Sequence, residues 1–242
     1  MSADDYYTLT ALPTLDPPGA TPPIVLADFL ARVPTGPAAR LVRALLLGED
    51  LLLREAVLAG ESRAAEPVVL TAGQVTGEEP LPAQLEAGDP AAPEADGAAR
   101  ALPADALWAA YYRHAAGLAL SMHSEFLRQW VATEVRLRNE LARARARALG
   151  LQPAGYMVAR ELESGGAAVE AALTAWQGAK DPLAGLRALL AARWRWIEQQ
   201  EPLFTFSTDE YVAYAAKLAL LHRWQRSAVA AAGPAGPGGS PR

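Results

Sequence analysis

The chain has 242 residues, enough to bury a core in one domain or two, and carries 27 acidic against 22 basic side chains for a net charge of −5. It has no cysteine, which excludes disulfides, thiolate nucleophiles and cysteine-ligated metals. No apolar run reaches the roughly 20 residues needed to cross a bilayer, and the acidic, polar start at residues 2–7 carries no secretory pattern, so a soluble, cytoplasmic chain is expected.

Residues 6–13 read as a short extended segment that Pro13 ends. Residues 17–23, with four prolines, form a stiff loop. Residues 26–33 predict a short helix. Pro37 then sits in the first turn of a further helix, where Leu41, Leu45 and Leu51 to Leu53 fit a helical pair interrupted near Gly48 and closed at Gly60. Residues 1–71 are thus an N-terminal helical segment. Residues 72–104 are rich in proline, glycine, alanine and acids, the composition of a disordered acidic linker. Residues 1–100 hold 15 acids and 6 bases, a net of −9; the remainder hold 12 acids and 16 bases, a net of +4.

A C-terminal helical domain is expected over residues 105–228. Its first helix carries Leu107, Trp108, Tyr111 and Tyr112 and leads into a long helix over residues 124–149, which Gly150 closes in a left-handed cap. A looser section follows, with a short helix at residues 167–176. Asp181 and Pro182 form a cap and first-turn proline, and Leu183, Leu186, Leu190, Trp194 and Ile197 make the stripe of the helix they open. Ser207 and Glu210 have the spacing of a capping box. The last helix carries Tyr211, Tyr214, Leu218 and Leu221 to about Trp224, and residues 229–242 read as a disordered tail. All six tryptophans lie beyond residue 107, which places the larger core in this second block.

The long helix is the most informative stretch. At 100° per residue, Phe126, Trp130, Leu137 and Leu141 share one side, widened by Leu127 and Val131. Glu134, Arg138 and Arg145 project into this stripe. Glu134 and Arg138 are four apart in the acid-first order, and a buried unpaired charge is costly, so they are expected to form a structural ion pair. Arg128, Arg136, Arg143 and Arg147 lie on the opposite side and are the candidate partner surface; a solvated helix face has the same pattern. The chain's single asparagine, Asn139, sits at the helix centre.

Reactive chemistry has no handle in the sequence. His114, His123 and His222 are never paired at ligand spacing. Residues 73–77 lack the lysine and hydroxyl of a phosphate loop, and no nucleophile elbow occurs. Glu161 and Glu163 lie in a polar stretch. No catalytic, cofactor-binding or metal-binding residue is therefore assigned. The arginines of residues 124–149 could neutralise phosphates, but they are interleaved with glutamates in an acidic chain, which argues against nucleic acid.

The opening Tyr6-Tyr7, Ala11 to Leu15 and Leu26 to Leu30 resembles the start of a bacterial family of unknown function associated with V-type ATP synthase gene clusters. Phe126 to Trp130 and Leu137-Arg138-Asn139 through Gly150 resemble that family's central helix, and Asp181 to Leu183, Arg193-Trp194, Phe206, Tyr214, Lys217-Leu218 and Arg223-Trp224 its closing helices. The Leu137 to Asn139 core is also similar to the C/d subunit of V-type ATPases, an all-helical funnel between rotor ring and central stalk. The chain is shorter than a full C/d subunit and carries the insertion at residues 72–104. The resemblance implies a mainly α, multi-helix bundle like that funnel. It implies a non-catalytic accessory or C/d-like component of a V/A-type rotary ATPase, peripheral to the inner face of the cell membrane through its partner subunits. Trp130, Arg138, Asn139, Lys217 and Trp224 are then helix-packing residues. A helical adaptor unrelated to the ATPase, a nucleic-acid-binding helical protein, or an enzyme built from scattered carboxylates and arginines are the alternatives.

Overall fold

Residues 41–53 are apolar around nearly the whole helical circumference, broken only by Arg43, Gly48, Glu49 and Asp50. A helix of that kind is stable only with neighbours on all sides. In the computed structural model, which describes residues 3–62, 66–85, 102–164 and 166–232, it is the central rod. The helices are α1 (Ala3–Thr10), α2 (Leu26–Arg32), α3 (Pro37–Leu58), α4 (Ala72–Thr76), α5 (Pro103–Ser121), α6 (Glu125–Ala148), α7 (Ala167–Gln177), α8 (Pro182–Gln200) and α9 (Thr208–Ala232). Short 3-10 turns occupy Ala83–Leu85, Pro153–Tyr156 and Arg160–Leu162, and the described residues contain no strand. The chain is mainly α.

α3 packs along α9 and against α2, α4 and α5; α5 and α6 form a hairpin, and α6 in turn meets α7 and α9. One apolar core runs through this arrangement. It joins Phe29, Leu41, Leu46 and Leu51 of the first segment to Leu127, Leu190, Ile197 and Leu218 of the second. Fully burying each such side chain is worth about 1.5–3 kcal/mol. The expected division into residues 1–71 and 105–228 is therefore no division of cores. A smaller cluster of Leu137, Leu141, Val169, Ala172 and Leu189 joins α6, α7 and α8.

Several local expectations are corrected. The N-terminal segment is helical rather than extended: the Thr10 hydroxyl donates to the Tyr6 carbonyl at 2.9 Å, Leu9 packs on the core, and the Tyr6 ring lies 5.0 Å from Phe206. α3 is continuous through Gly48, because that glycine admits a neighbour and does not break the helix: a Cβ there would lie 2.7 Å from the Tyr111 hydroxyl. The linker does not begin at residue 72. The buried Asp50 carboxylate accepts the Val68, Val69 and Leu70 amides at 2.8, 2.6 and 2.8 Å, Thr71 and Gln74 cap α4 reciprocally, and Val75 and Leu85 are buried. Residues 86–101, most of the rest of that linker, lie outside the described residues. Glu210 does not close a box on Ser207; its carboxylate accepts from the Thr205 hydroxyl at 2.7 Å and the Phe206 amide at 2.6 Å. The expected tail at residue 229 is helical through Ala232, and residues 233–242 lie outside the described residues.

Other signals hold. Gly150 has φ +68° and ends α6, and Asp181 caps α8 by accepting the Ala184 amide at 2.7 Å. The structure adds a cap at the start of α6, where Ser124 accepts the Leu127 amide at 3.2 Å. Asp209 of α9 adds a second cap, accepting the Phe126 amide at 3.0 Å. A carboxylate there favours the positive end of the α6 dipole.

Gly48 to Ala, which in an open helix stabilises by about 1 kcal/mol, should here destabilise by about 1–3 kcal/mol through overpacking. Removing the phenolic oxygen with Tyr111 to Phe should recover part of that loss. Thermal or urea unfolding of the single and double variants measures both effects.

Candidate functional site

Glu134 and Arg138 of the α6 stripe turn inward, into a cleft of about 440 Å³ between α3, α5, α6 and α9, with α8 contributing Arg193, while Arg145 lines it and stays exposed. That volume is in the range of ligand pockets, about 300–1,000 Å³. Aromatic rings furnish much of its wall. Trp108, Tyr111 and Tyr112 of α5 have centroids 5.1–5.7 Å apart, and Trp130 of α6 stacks with Phe126 and meets Trp196 at 5.6 Å.

The ionic groups are paired between helices. Glu134 and Arg138 do not form the expected pair. Glu134 binds Arg193 of α8 in a two-point bridge, with Nε and Nη2 at 2.6 and 2.9 Å and side chains only 12% and 14% exposed. Arg138 extends over the Trp108 ring, 4.5 Å from its centroid, and touches Asp105 of α5 at 3.4 Å. The physical reason is that a pair within one helix can reach only along its own surface. Arg193 of α8 meets Glu134 from the facing side in two-point geometry, and α5 offers Arg138 the Trp108 ring and the Asp105 carboxylate instead. Glu49 of α3 accepts from Arg223 and Arg226 of α9 at 2.6 and 3.1 Å. Glu55 accepts the Trp108 indole N–H at 2.6 Å.

These environments set the protonation states. Burial pushes the Glu49 carboxyl up, but Arg223 and Arg226 outweigh it and hold the group below its ordinary 4.5. Burial pushes the Tyr112 phenol up to about 12 and raises Tyr111 further in the same direction, so both stay neutral hydrogen-bond donors. Arg223, despite burial, is raised by Glu49 and stays charged. The cleft therefore offers the Arg138 guanidinium, the Tyr112 hydroxyl and aromatic faces to an occupant, while the Tyr111 hydroxyl already donates to the Leu45 carbonyl at 3.3 Å. Its acids are already tied to cations or an indole. That chemistry suits recognition of an anionic group on an apolar body.

The other residues singled out in the sequence lie elsewhere. Asn139 is fully buried on a different face of α6. Its amide exchanges two bonds with the Val158 backbone, at 2.8 and 2.9 Å, and donates to Glu163 at 2.7 Å, pinning the connection to α7. Lys217 bridges Glu201 at 2.6 Å and lies 5.1 Å over Trp194, while Trp224 receives Arg187 at 5.4 Å. The arginine face expected as a partner surface is occupied at three of its four positions. Arg128 binds Glu125 through Nε at 2.8 Å, Arg136 reaches Glu170 at 3.5 Å, and Arg143 is wedged between Glu140 and Glu163 at 2.8 and 3.1 Å. Arg147 is exposed. Of the histidines, His222 lies 2.9 Å from the Ile24 carbonyl and burial lowers the His114 pKa. The described residues contain no group of three or more side chains able to hold a metal.

Sequence patterns do not single out Asp105, and Arg193 is marked only by the resemblance, with nothing local that points it to Glu134. Glu49 and Arg223 do carry a signal. An acid embedded in an otherwise leucine-rich helical run must either be paired or be unfavourable, and Arg223 and Arg226, three apart on one helix face, are the matching half.

Comparison with protein-family models finds none that matches the chain, and neither the curated proteins nor the solved structures yield a match. No described helix is long and apolar enough to cross a membrane.

The corrected pairing is checked by double-mutant cycles. Glu134 to Ala should cost about 3–5 kcal/mol, the loss typical of breaking a buried pair. The coupling of Glu134 with Arg193 should be large and that with Arg138 near zero. The Glu49 carboxyl, held below its ordinary 4.5, contributes stability that is present above the unfolded pKa and lost as pH falls through the folded one. Chemical unfolding between pH 6 and 3 should show that loss in the native chain and a flatter profile in Glu49 to Gln.

Proposed function

We propose that this protein is a non-catalytic accessory or C/d-like component of a V/A-type rotary ATPase, coupling or assembling the central stalk and the membrane ring. The reading starts from the resemblance carried by Trp130, Arg138, Asn139, Lys217 and Trp224. One structural observation supports it above others: Glu49 is bound to Arg223, 174 residues away, within a single apolar core that joins α3 to α9. A part that transmits force or guides assembly needs such a core, and it needs no reactive group. Its partners are ATPase subunits, met by protein–protein contact. Its attachment to the inner face of the cell membrane is peripheral and indirect. It takes no cofactor and no nucleic acid.

Capture of an affinity-tagged chain from gently solubilised native membranes tests this reading. The catalytic, stalk or ring subunits of the ATPase should be recovered with it in defined stoichiometry. Recovery of the folded protein without any of them would overturn it and favour a helical adaptor of another assembly.

A further inference from the structure

The cleft has two features that pairing inside the protein leaves unexplained. The first is cationic. Arg138 makes a single 3.4 Å contact with Asp105 and otherwise lies on the Trp108 ring. Arg145, two turns further along α6, also lines the cleft and is exposed. Among the described residues Arg145 has no carboxylate partner; it lies 5.6 Å from the Trp176 ring. The Arg138 guanidinium thus lines the cavity with most of its donors unused by protein acids, and Arg145 stands at the cavity's exposed edge with its head group beside Trp176 of α7. The second feature is apolar. Leu102, Leu149 and Leu151 stand at the mouth of the same cleft, 50%, 72% and 44% exposed. Exposed leucines grouped around a pocket are the mark of a surface that another molecule covers.

We propose that the cleft is the docking site for a polypeptide segment of a partner protein, one that presents an aromatic or aliphatic anchor next to a carboxylate. The anchor fills the aromatic-walled cavity. The carboxylate is received by Arg138, whose fork geometry suits two-point binding of a planar anion, and Arg145 at the exposed edge of the cleft adds a second positive charge. The three leucines are covered by the flanking turns of the segment. The leucine rim favours a polypeptide over a free small molecule, because a ligand contained within the cavity would leave the rim bare. The proposal deepens the reading of the protein as a docking body and does not depend on which assembly supplies the partner.

Selection of random dodecapeptides displayed on phage against the purified full chain provides the test. Selected peptides should share an acid adjacent to Trp, Phe or Leu. Synthetic copies should quench the tryptophan fluorescence of the protein. Arg145 to Glu and Leu149 to Glu alter exposed side chains, so their melting curves should match the native chain while peptide affinity falls about tenfold or more. Changing the peptide's acid to its amide should cause a comparable loss. Absence of selection, selection of basic peptides, or equal binding by both variants would overturn the proposal. So would tight binding of laurate with no peptide bound, which would assign the cleft to a small anionic amphiphile, or a dimer that Leu149 to Glu dissolves, which would assign it to a second copy of the chain. The two readings separate cleanly. ATPase subunits captured equally by both variants would leave the proposed function standing and remove the cleft from it, whereas peptide binding without captured ATPase subunits would do the reverse.

Discussion

The fold depends on the carboxylate of Glu49 being held by Arg223 and Arg226 inside the protein. Taking that charge from water costs several kcal/mol, and the cost is recovered only when guanidinium groups from α9 are in place. The leucines around Glu49 require burial for their own reason, the removal of apolar surface from water. Hydrophobic burial therefore forces the acid inward, and the acid forces α9 to lie against α3. The first sixty residues and the last helix are in this way conditional on each other, although 174 residues separate Glu49 from Arg223.

The same logic produces the cleft. α6 carries Glu134, Arg138 and Arg145 within an apolar stripe, so its neighbours cannot close on it as on a plain hydrophobic helix. Arg193 comes from α8 to meet Glu134, and Trp108 and Asp105 from α5 to meet Arg138. The space kept open by these long side chains is the cavity. Charges that complicate folding thus define the surface best suited to recognition, and a stable core is built around it by Leu127, Val131 and Val135, all essentially inaccessible to water.

Much of the helical architecture is legible in local sequence. Pro37, Pro103 and Pro182 open helices as first-turn prolines, and Gly150 closes one, because these effects act within a single turn. The inward turn of Glu134 and Arg138 follows from the same periodicity. Their partners do not, since Arg193 and Asp105 are brought near by tertiary packing that no short-range pattern encodes. Gly48 reads locally as a break because the reason for a glycine there, the Tyr111 ring, lies on another helix. For residues 72–85 composition understates order, which comes from Asp50 gripping three backbone amides and from the Thr71–Gln74 cap. The latter spacing is visible in the sequence. The arginine face of α6 is legible as charge but only partly as occupied charge: Glu125 and Glu140 lie at pairing distance on α6 itself, whereas Glu163 and Glu170 reach it only after the chain turns back.

Native-state hydrogen exchange tests the interdependence of the two ends most directly. If the Glu49 carboxylate couples them, the amides in the centres of α3, α6 and α9 exchange only through one common opening and respond together to low denaturant. Exchange of α3 through a separate, lower-energy opening while α6 and α9 stay protected would contradict the account.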